Sequence, residues 1–281
     1  MQPTDLSGVR VVDDAMLLAI DVGNSEIACG LYPLEGTGTP RLRSCWRLQS
    51  HRGRTADELA WQLFGQLEMH DADAAAIRAV ICASVVPALD EVVRQACARI
   101  TSAGFARVGE KGVRTGMAID YLHPGDVGAD RIVNAVAARH RFGAPVIVLD
   151  CGTATTFDVV TANGHYAGGL ILAGFELALE ALARRAARLP TVSLARHERL
   201  IGRTTVHAMQ AGAYWGAVEA LSGLIRRLRR ELGDDAVPVV ATGGAASAIA
   251  DDLPELAALL PHLTLDGLAL IGRSHFGGGG R

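Results

Sequence analysis

The chain has 281 residues, of which 49% are hydrophobic and 20% charged, and its formal net charge is −3. That is ample apolar material for about two packed domains and excludes whole-chain disorder, while the near-neutral charge gives no general affinity for nucleic acid or an anionic membrane. Cys29, Cys45, Cys82, Cys97 and Cys151 are scattered with no C-x-x-C pair, which argues against a disulfide framework or zinc cluster and fits a reducing, cytoplasmic compartment.

The longest largely apolar run, AVICASVVPAL at 79–89, is too short to span a bilayer, and MQPTDLSGVRVVDD at the start lacks a signal-peptide core. Residues 1–15 read as an extension, with the strand pattern beginning at Met16, itself a candidate start. LLAIDVG is a buried strand, and IACGLY returns as its hairpin partner. EGTGTP at 35–40 is turn-rich, and RLRSCWRL at 41–48 reads as a third strand. In TADELAWQLFGQLEM, Thr55 and Glu58 form a capping-box pattern, and Leu59, Leu63, Phe64 and Leu67 make one helical face. AVICASVV is a short buried strand, Pro87 opens a helix, residues 112–120 are a strand or loop, and VGADRIVNAVAARHRF is a helix with a polar entrance.

After Gly143 the order restarts. VIVLDCGTATTFDVV at 146–160 repeats the pattern of LLAIDVGNSEIACGL at 17–31: apolar strand, Asp-x-Gly, small and hydroxyl-bearing residues, then a returning strand. YAGGLIL follows, then one helix, FELALEALARRAARL, and a long one at 204–232 interrupted by Gly212, Gly216 and Gly223. Its Arg run at 226–230 reads as the wet side of that helix. VPVVATGGAAS is a strand entering a Gly-Gly turn, LDGLALIGRSHF is a closing helix, and 277–281 is a flexible tail. AVICASVVPAL follows the first helix much as VPVVATGGAAS follows the long one. The expectation is two related α/β domains, 16–141 and 142–276, with mostly parallel, helix-covered sheets facing each other across a cleft.

A strand leading into Asp-x-Gly puts a carboxylate at the strand end, and the Gly permits close backbone approach by a ligand. Hydroxyls and backbone N–H groups of the turn bind phosphate oxygens, and the carboxylate holds a cation. Two such turns facing each other grip a polyphosphate from both sides, and the Gly243–Gly244 turn lets an adenosine lie against the backbone. Other nucleotide and hydrolase signatures are missing. The nearest approach to a P-loop, GFARVGEKG, has Glu110 where the Lys belongs, and there is no G-x-G-x-x-G after a strand, no H-E-x-x-H and no G-x-S-x-G. Asp130 begins a helix beside Arg131. A carboxylate there suits a group that takes a hydroxyl proton during attack on a phosphate, or simply a helix-start Asp paired with a surface Arg.

DVGNS, YLHPGDVGADRIVNAVAA, DCGTATTFD, GGLILAG, ARLP, IGRTTVHAMQAGAYWG, VVATGG and HLTLDGLALI occur in that order over roughly residues 16–276. Together they resemble the type III pantothenate kinases of bacteria. The resemblance implies an actin-like, sugar-kinase-type fold of two ribonuclease-H-like domains and ATP-dependent phosphorylation of pantothenate, the first step of coenzyme A synthesis. It implies that Asp21, Val22, Gly23, Asn24, Ser25, Glu26, Ile27 and Ala28 carry the first phosphate turn, with Thr153 also on ATP. Asp130 is then the general base, and Tyr121, Gly128, Ala129, Asp130 and Arg131 contact pantothenate. Asp150 would hold a monovalent cation, potassium or ammonium, with magnesium accompanying ATP. Thr205 would complete the pantothenate pocket from the partner subunit of a homodimer, with the Gly- and Ala-rich long helix at the interface. The family usually has Asn-Thr-Asn where this chain has Asn24-Ser25-Glu26, Asn where it has His123, and Pro where it has Ala173. Two other readings stay open: a regulator sharing the fold, like the Bvg accessory factor, and a superfamily kinase for another small hydroxyl compound.

Overall fold

A computed structural model describes residues 15–277, so nearly all of the expected extension and tail lie outside the described residues. The first half runs β1 (Met16–Val22), β2 (Glu26–Pro33), β3 (Ser44–Gln49), α1 (Ala56–Met69), β4 (Ile77–Ser84), α2 (Pro87–Ile100), β5 (Gly104–Arg107) and α3 (Ala129–Phe142). The second runs β6 (Val146–Cys151), β7 (Ala154–Val160), β8 (Tyr166–Ala173), α4 (Phe175–Arg185), α5 (Thr205–Leu232), β9 (Val239–Thr242), β10 (Leu256–Leu259) and α6 (Leu263–Phe276).

The two sheets have the same order, β3-β2-β1-β4-β5 and β8-β7-β6-β9-β10. They are mixed rather than mostly parallel. In each, the first three strands pair antiparallel, because short turns can join strands only that way, and the last two add in parallel through longer helical connections.

The strand period of two sorts the core into layers. Leu18, Ile20 and Val22 pack outward with α1 and α2. Ile147, Leu149 and Cys151 pack outward beneath α5. Leu17 and Ala19, with Val146 and Val148, face a shared central core that also holds Ile132, Val133 and Val136 of α3 and Leu268 and Ile271 of α6. Helices α3 and α6 therefore form a middle layer between the sheets, with α6 against β1 and β4 and α3 against β6 and β7. One step further along β1 and β6, the same central face presents Asp21 and Asp150.

Local details follow the sequence with a few departures. Thr55 and Glu58 form the reciprocal cap of α1. Leu59, Leu63 and Leu67 are buried, but Phe64 is 44% exposed, because Ala56 and Ala60 take the flank of the stripe instead. Helix α4 stops at Arg185 rather than continuing through Leu189, which precedes Pro190 and is thereby biased against helix. Helix α5 runs unbroken through Gly212, Gly216 and Gly223. Between 112 and 120 a single bridge joins Ile119 to Tyr166.

Candidate active site

The two Asp-x-Gly turns meet. In the first, the Gly23 N–H donates to the Glu26 carbonyl at 2.9 Å, while buried Val22 and Ile27 anchor its flanks. In the second, the Gly152 N–H donates to the Ala154 carbonyl at 3.1 Å, and Gly174, just after Ala173, donates to the Thr153 carbonyl at 3.1 Å. The hydroxyls of Ser25 and Thr153, 128 residues apart in sequence, lie 3.0 Å apart across the cleft. Asn24, Ser25 and Glu26 are exposed, as are Gly152 and Thr153, so this junction opens to solvent.

Asp130 stands in the first turn of α3, just after the N-cap Gly128 and first residue Ala129. A methyl on Gly128 would lie 2.5 Å from the Asp130 carboxylate, so Gly at the N-cap lets that carboxylate keep its present position. The Arg131 N–H donates to Asp130 Oδ1 at 2.8 Å. Burial raises the Asp130 carboxyl, opposed by that hydrogen bond and the Arg131 charge. Asp21 is pushed up to about 7, first by burial and then by the charges of Asp130 and Asp150, with Arg47 opposing. Asp150 is pushed up to about 6 by burial and by Asp130, with the Asn134 hydrogen bond opposing. Three carboxylates from β1, α3 and β6 thus feel one another in a poorly solvated place.

Asp150 is held by groups that sequence reading missed. Asn134, buried one turn into α3, donates from Nδ2 to Asp150 Oδ2 at 3.0 Å, and its own Oδ1 accepts from the Thr264 hydroxyl of α6 at 2.8 Å. Gly243, at φ +90°, lets the β9 turn pass so close that a methyl there would sit 2.5 Å from Asp150 Oδ1. The chain around Asp150 is therefore fixed from both central helices and from the Gly-Gly turn.

Arg131 does not pair with Asp130 on the surface. Its Nε lies 2.7 Å from Oδ1 of the fully buried Asp158 on β7, and Nη2 donates to the Phe157 carbonyl at 3.0 Å. The Tyr166 hydroxyl donates to the same Asp158 oxygen at 2.8 Å. Burial raises the Asp158 carboxyl, while Arg131 and Tyr166 oppose it. Tyr121 lies against Gly168, where a methyl would approach its ring to 2.9 Å, so the positive-φ glycine makes room for the aromatic side chain. Glu26 takes a salt bridge from Arg47 on β3 at 2.6 Å, which offsets the negative charge this residue brings to the first turn. His123 sits in the exposed segment before α3. Thr205 is exposed in the first turn of α5, next to the N-cap Thr204, and among the described residues no hydrogen bond or ion pair ties it to Asp130 or Arg131.

Among the described residues, no three His, Cys, Asp or Glu side chains are grouped to hold a metal ion by themselves. The chemistry still fits hard cations. Asp130 raises the carboxyls of both Asp21 and Asp150, and Asp150 raises that of Asp21, which a positive charge would relieve, and magnesium is commonly held by one or two carboxylates together with substrate phosphates. No described helix is long and apolar enough to cross a membrane.

The family model for type III pantothenate kinases matches residues 17–227. A type III pantothenate kinase of Paramagnetospirillum magneticum is 45% identical over 92% of this chain and 97% of its own length. Among solved structures, a candidate Baf family transcriptional activator from Campylobacter jejuni aligns with a TM-score of 0.55 at 19% identity, over 91% of this chain and 96% of that one. The Lmo2764 protein of Listeria monocytogenes, a candidate N-acetylmannosamine kinase, aligns at 0.53 and 11%, over 92% and 99%. At those identities the structural likeness is one of fold, the duplicated sugar-kinase type.

Proposed function

This chain belongs to the type III pantothenate kinase family, and from that premise we propose how its residues perform the family's reaction. It phosphorylates pantothenate with ATP to give 4′-phosphopantothenate, the first step of coenzyme A biosynthesis. The observation that carries the assignment of the site is the apposition of Ser25 and Thr153, which joins two distant Asp-x-Gly hairpins at one place, with Asp130 close enough to act on the Asp21 carboxyl. The regulator reading is not favoured, since the relatives sharing over 40% identity are named as kinases, whereas the Baf family likeness is one of fold.

In this reading residues 21–28 and Thr153 hold the ATP phosphates through turn N–H groups and hydroxyls. The pantothenate hydroxyl oxygen attacks the γ-phosphorus, the bond to the β,γ-bridging oxygen breaks, and ADP leaves. Asp130 accepts the hydroxyl proton; burial has raised its carboxyl toward the range where a base works well. Tyr121 and residues 128–131 form the wall against pantothenate. Asp21 would hold the magnesium that accompanies ATP, and Asp150 a monovalent cation, potassium or ammonium. These cations would supply charge neutralisation along the phosphates. Asn134 and Thr264 act through Asp150 by fixing its orientation.

The test is ADP release with and without pantothenate, in potassium and then in sodium, with magnesium present. The expected result is pantothenate-dependent ADP formation that potassium raises and sodium does not. No pantothenate-dependent ADP from folded protein removes the enzyme reading, and equal rates in the two salts remove the monovalent-cation role of Asp150.

The chain is proposed to act as a homodimer in which Thr205 reaches the partner's pocket. Support comes from the exposed face of α5. Methyl groups at Gly212 and Gly216 would meet nothing in this chain. Leu200, Ile201 and Val206 are exposed nearby in sequence, and a 390 Å³ surface pocket is lined by Glu198, Leu200, Trp215, Gly216 and Glu219. Mixing Asp130→Asn and Thr205→Ala proteins should then restore activity that neither has alone, through heterodimers with one intact composite site. No recovery after demonstrated subunit exchange places both residues in one subunit's site.

A further inference from the structure

Strand register puts Arg47 where the phosphoryl donor is expected. Asp21 on β1 pairs with Ala28 on β2, and Ala28 pairs with Arg47 on β3. Residues directly opposite on neighbouring strands share a face, so the Asp21 carboxylate, the Ala28 methyl and the Arg47 side chain lie in one row across the sheet. The small Ala28 leaves the long Arg side chain a clear path over the row. Glu26, two residues before Ala28, is on the same face and is a diagonal neighbour of Arg47. The guanidinium Nη1 donates to Glu26 Oε2 at 2.6 Å. The two side chains are 51% and 53% exposed, so water can replace either partner and the link is easily exchanged. The charge of Arg47 also reaches Asp21, lowering its carboxyl against burial.

We propose that Arg47 binds the phosphoryl donor: its guanidinium exchanges Glu26 for the polyphosphate of the bound nucleotide, and Glu26 holds it in place until then. A polyphosphate carries more negative charge than one carboxylate and offers paired oxygens that match the planar guanidinium fork. Arg47 therefore supplies a positive charge on the Asp21 side of the junction, where the other charges acting on Asp21 are the carboxylates Asp130 and Asp150. Glu26 makes the exchange a competition, so nucleotide affinity reflects the difference between two partners of the same Arg. The proposal rests on the reading that the β1–β2 turn holds ATP, and the experiment separates the two.

Binding of magnesium–ADP and of adenosine is measured by calorimetry on the intact protein and on Arg47→Gln, Glu26→Gln, and the paired change Ser25→Ala with Thr153→Ala, alongside the KM for ATP. Arg47→Gln should weaken ADP binding and raise the KM for ATP by roughly ten- to a hundredfold, the scale of a charge-assisted contact, with adenosine binding unchanged. Arg47→Lys should recover part of the loss. Glu26→Gln should act in the opposite direction, tightening ADP by about two- to fivefold, because the competitor for Arg47 is gone. If the two single changes shift ADP binding little and in the same direction, Arg47–Glu26 is a surface ion pair only and the proposal is overturned. If the Ser25 and Thr153 change weakens ADP while Arg47→Gln does not, the nucleotide site stands and only the Arg47 assignment falls. If none of the variants alters ADP binding, the nucleotide lies elsewhere and both fall.

Discussion

Asp130→Asn is expected to lower kcat by about 10²–10⁴-fold, the usual contribution of a positioned base. The amide keeps the size of the carboxylate and can still accept the Arg131 N–H that Asp130 Oδ1 accepts now, so the entrance to α3 should keep its shape. It cannot take the hydroxyl proton. The KM for ATP should stay within a few-fold, since the nucleotide is assigned to the two hairpin turns. Stability separates this reading from a structural one. Asp130 raises the carboxyls of both Asp21 and Asp150, so removing its charge relieves repulsion in the ligand-free protein. The variant should therefore melt no lower than the parent while turning over far more slowly. A helix-start residue with no catalytic part predicts the reverse, a slightly lower melting point and near-normal kcat. A kcat within threefold of the parent dismisses Asp130 as the base and directs attention to Asp126, which is exposed in the segment before α3.

Much of the fold was legible because its signals are local. The period of two in LLAID and VIVLD sends Leu17, Ala19 and Asp21, and likewise Val146, Val148 and Asp150, to the same face, which is how one hairpin pattern used twice aims two carboxylates into one cleft. The capping box at Thr55 and the Pro at the start of α2 are likewise contained within a few residues. The supporting groups were not legible. Asn134 looks like one more residue on a helix until α6 brings the Thr264 hydroxyl to it from 130 residues away. Asp158 reads as one more residue of the returning strand TTFDVV, and its burial depends on Arg131 arriving from α3 and Tyr166 from β8. The Glu26–Arg47 pair depends on the β2–β3 register, which the sequence does not specify. β5 and β10 are four-residue strands, GFAR and LAAL, with no β-branched residue, so nothing local marks them; parallel pairing with β4 and β9 makes them strands.

Arg131→Met should destabilise the protein by about 3–5 kcal/mol at neutral pH, as expected when one partner of a buried ion pair is removed. The Arg131 side chain is 12% exposed and that of Asp158 is 0%, so solvent screens the pair little. The change leaves Asp158 with the Tyr166 hydroxyl at 2.8 Å and the longer Thr156 contact at 3.4 Å, and removes the donor that Arg131 gives the Phe157 carbonyl. The loss should depend on pH in a definite sense. Burial already raises the Asp158 carboxyl in the parent, and the Arg131 charge opposes the rise. Without Arg131 the folded-state value climbs further above the unfolded one. A raised carboxyl stabilises the folded form below the unfolded pKa of about 4, and that contribution is lost as pH rises through the folded pKa. Denaturant unfolding should therefore show a smaller deficit at pH 5.5 than at pH 8. Adding Asp158→Asn should restore much of the stability, since a neutral amide can still accept from Tyr166 and no uncompensated charge remains. Activity should fall with the fold in the single variant and return only in part in the double one, because Arg131 both holds β7 against the start of α3 and lies in the proposed wall against pantothenate. If Arg131→Met instead unfolds like the parent at both pH values and only the KM for pantothenate rises, the guanidinium serves the substrate alone, and the buried pair with Asp158 contributes little to holding the site.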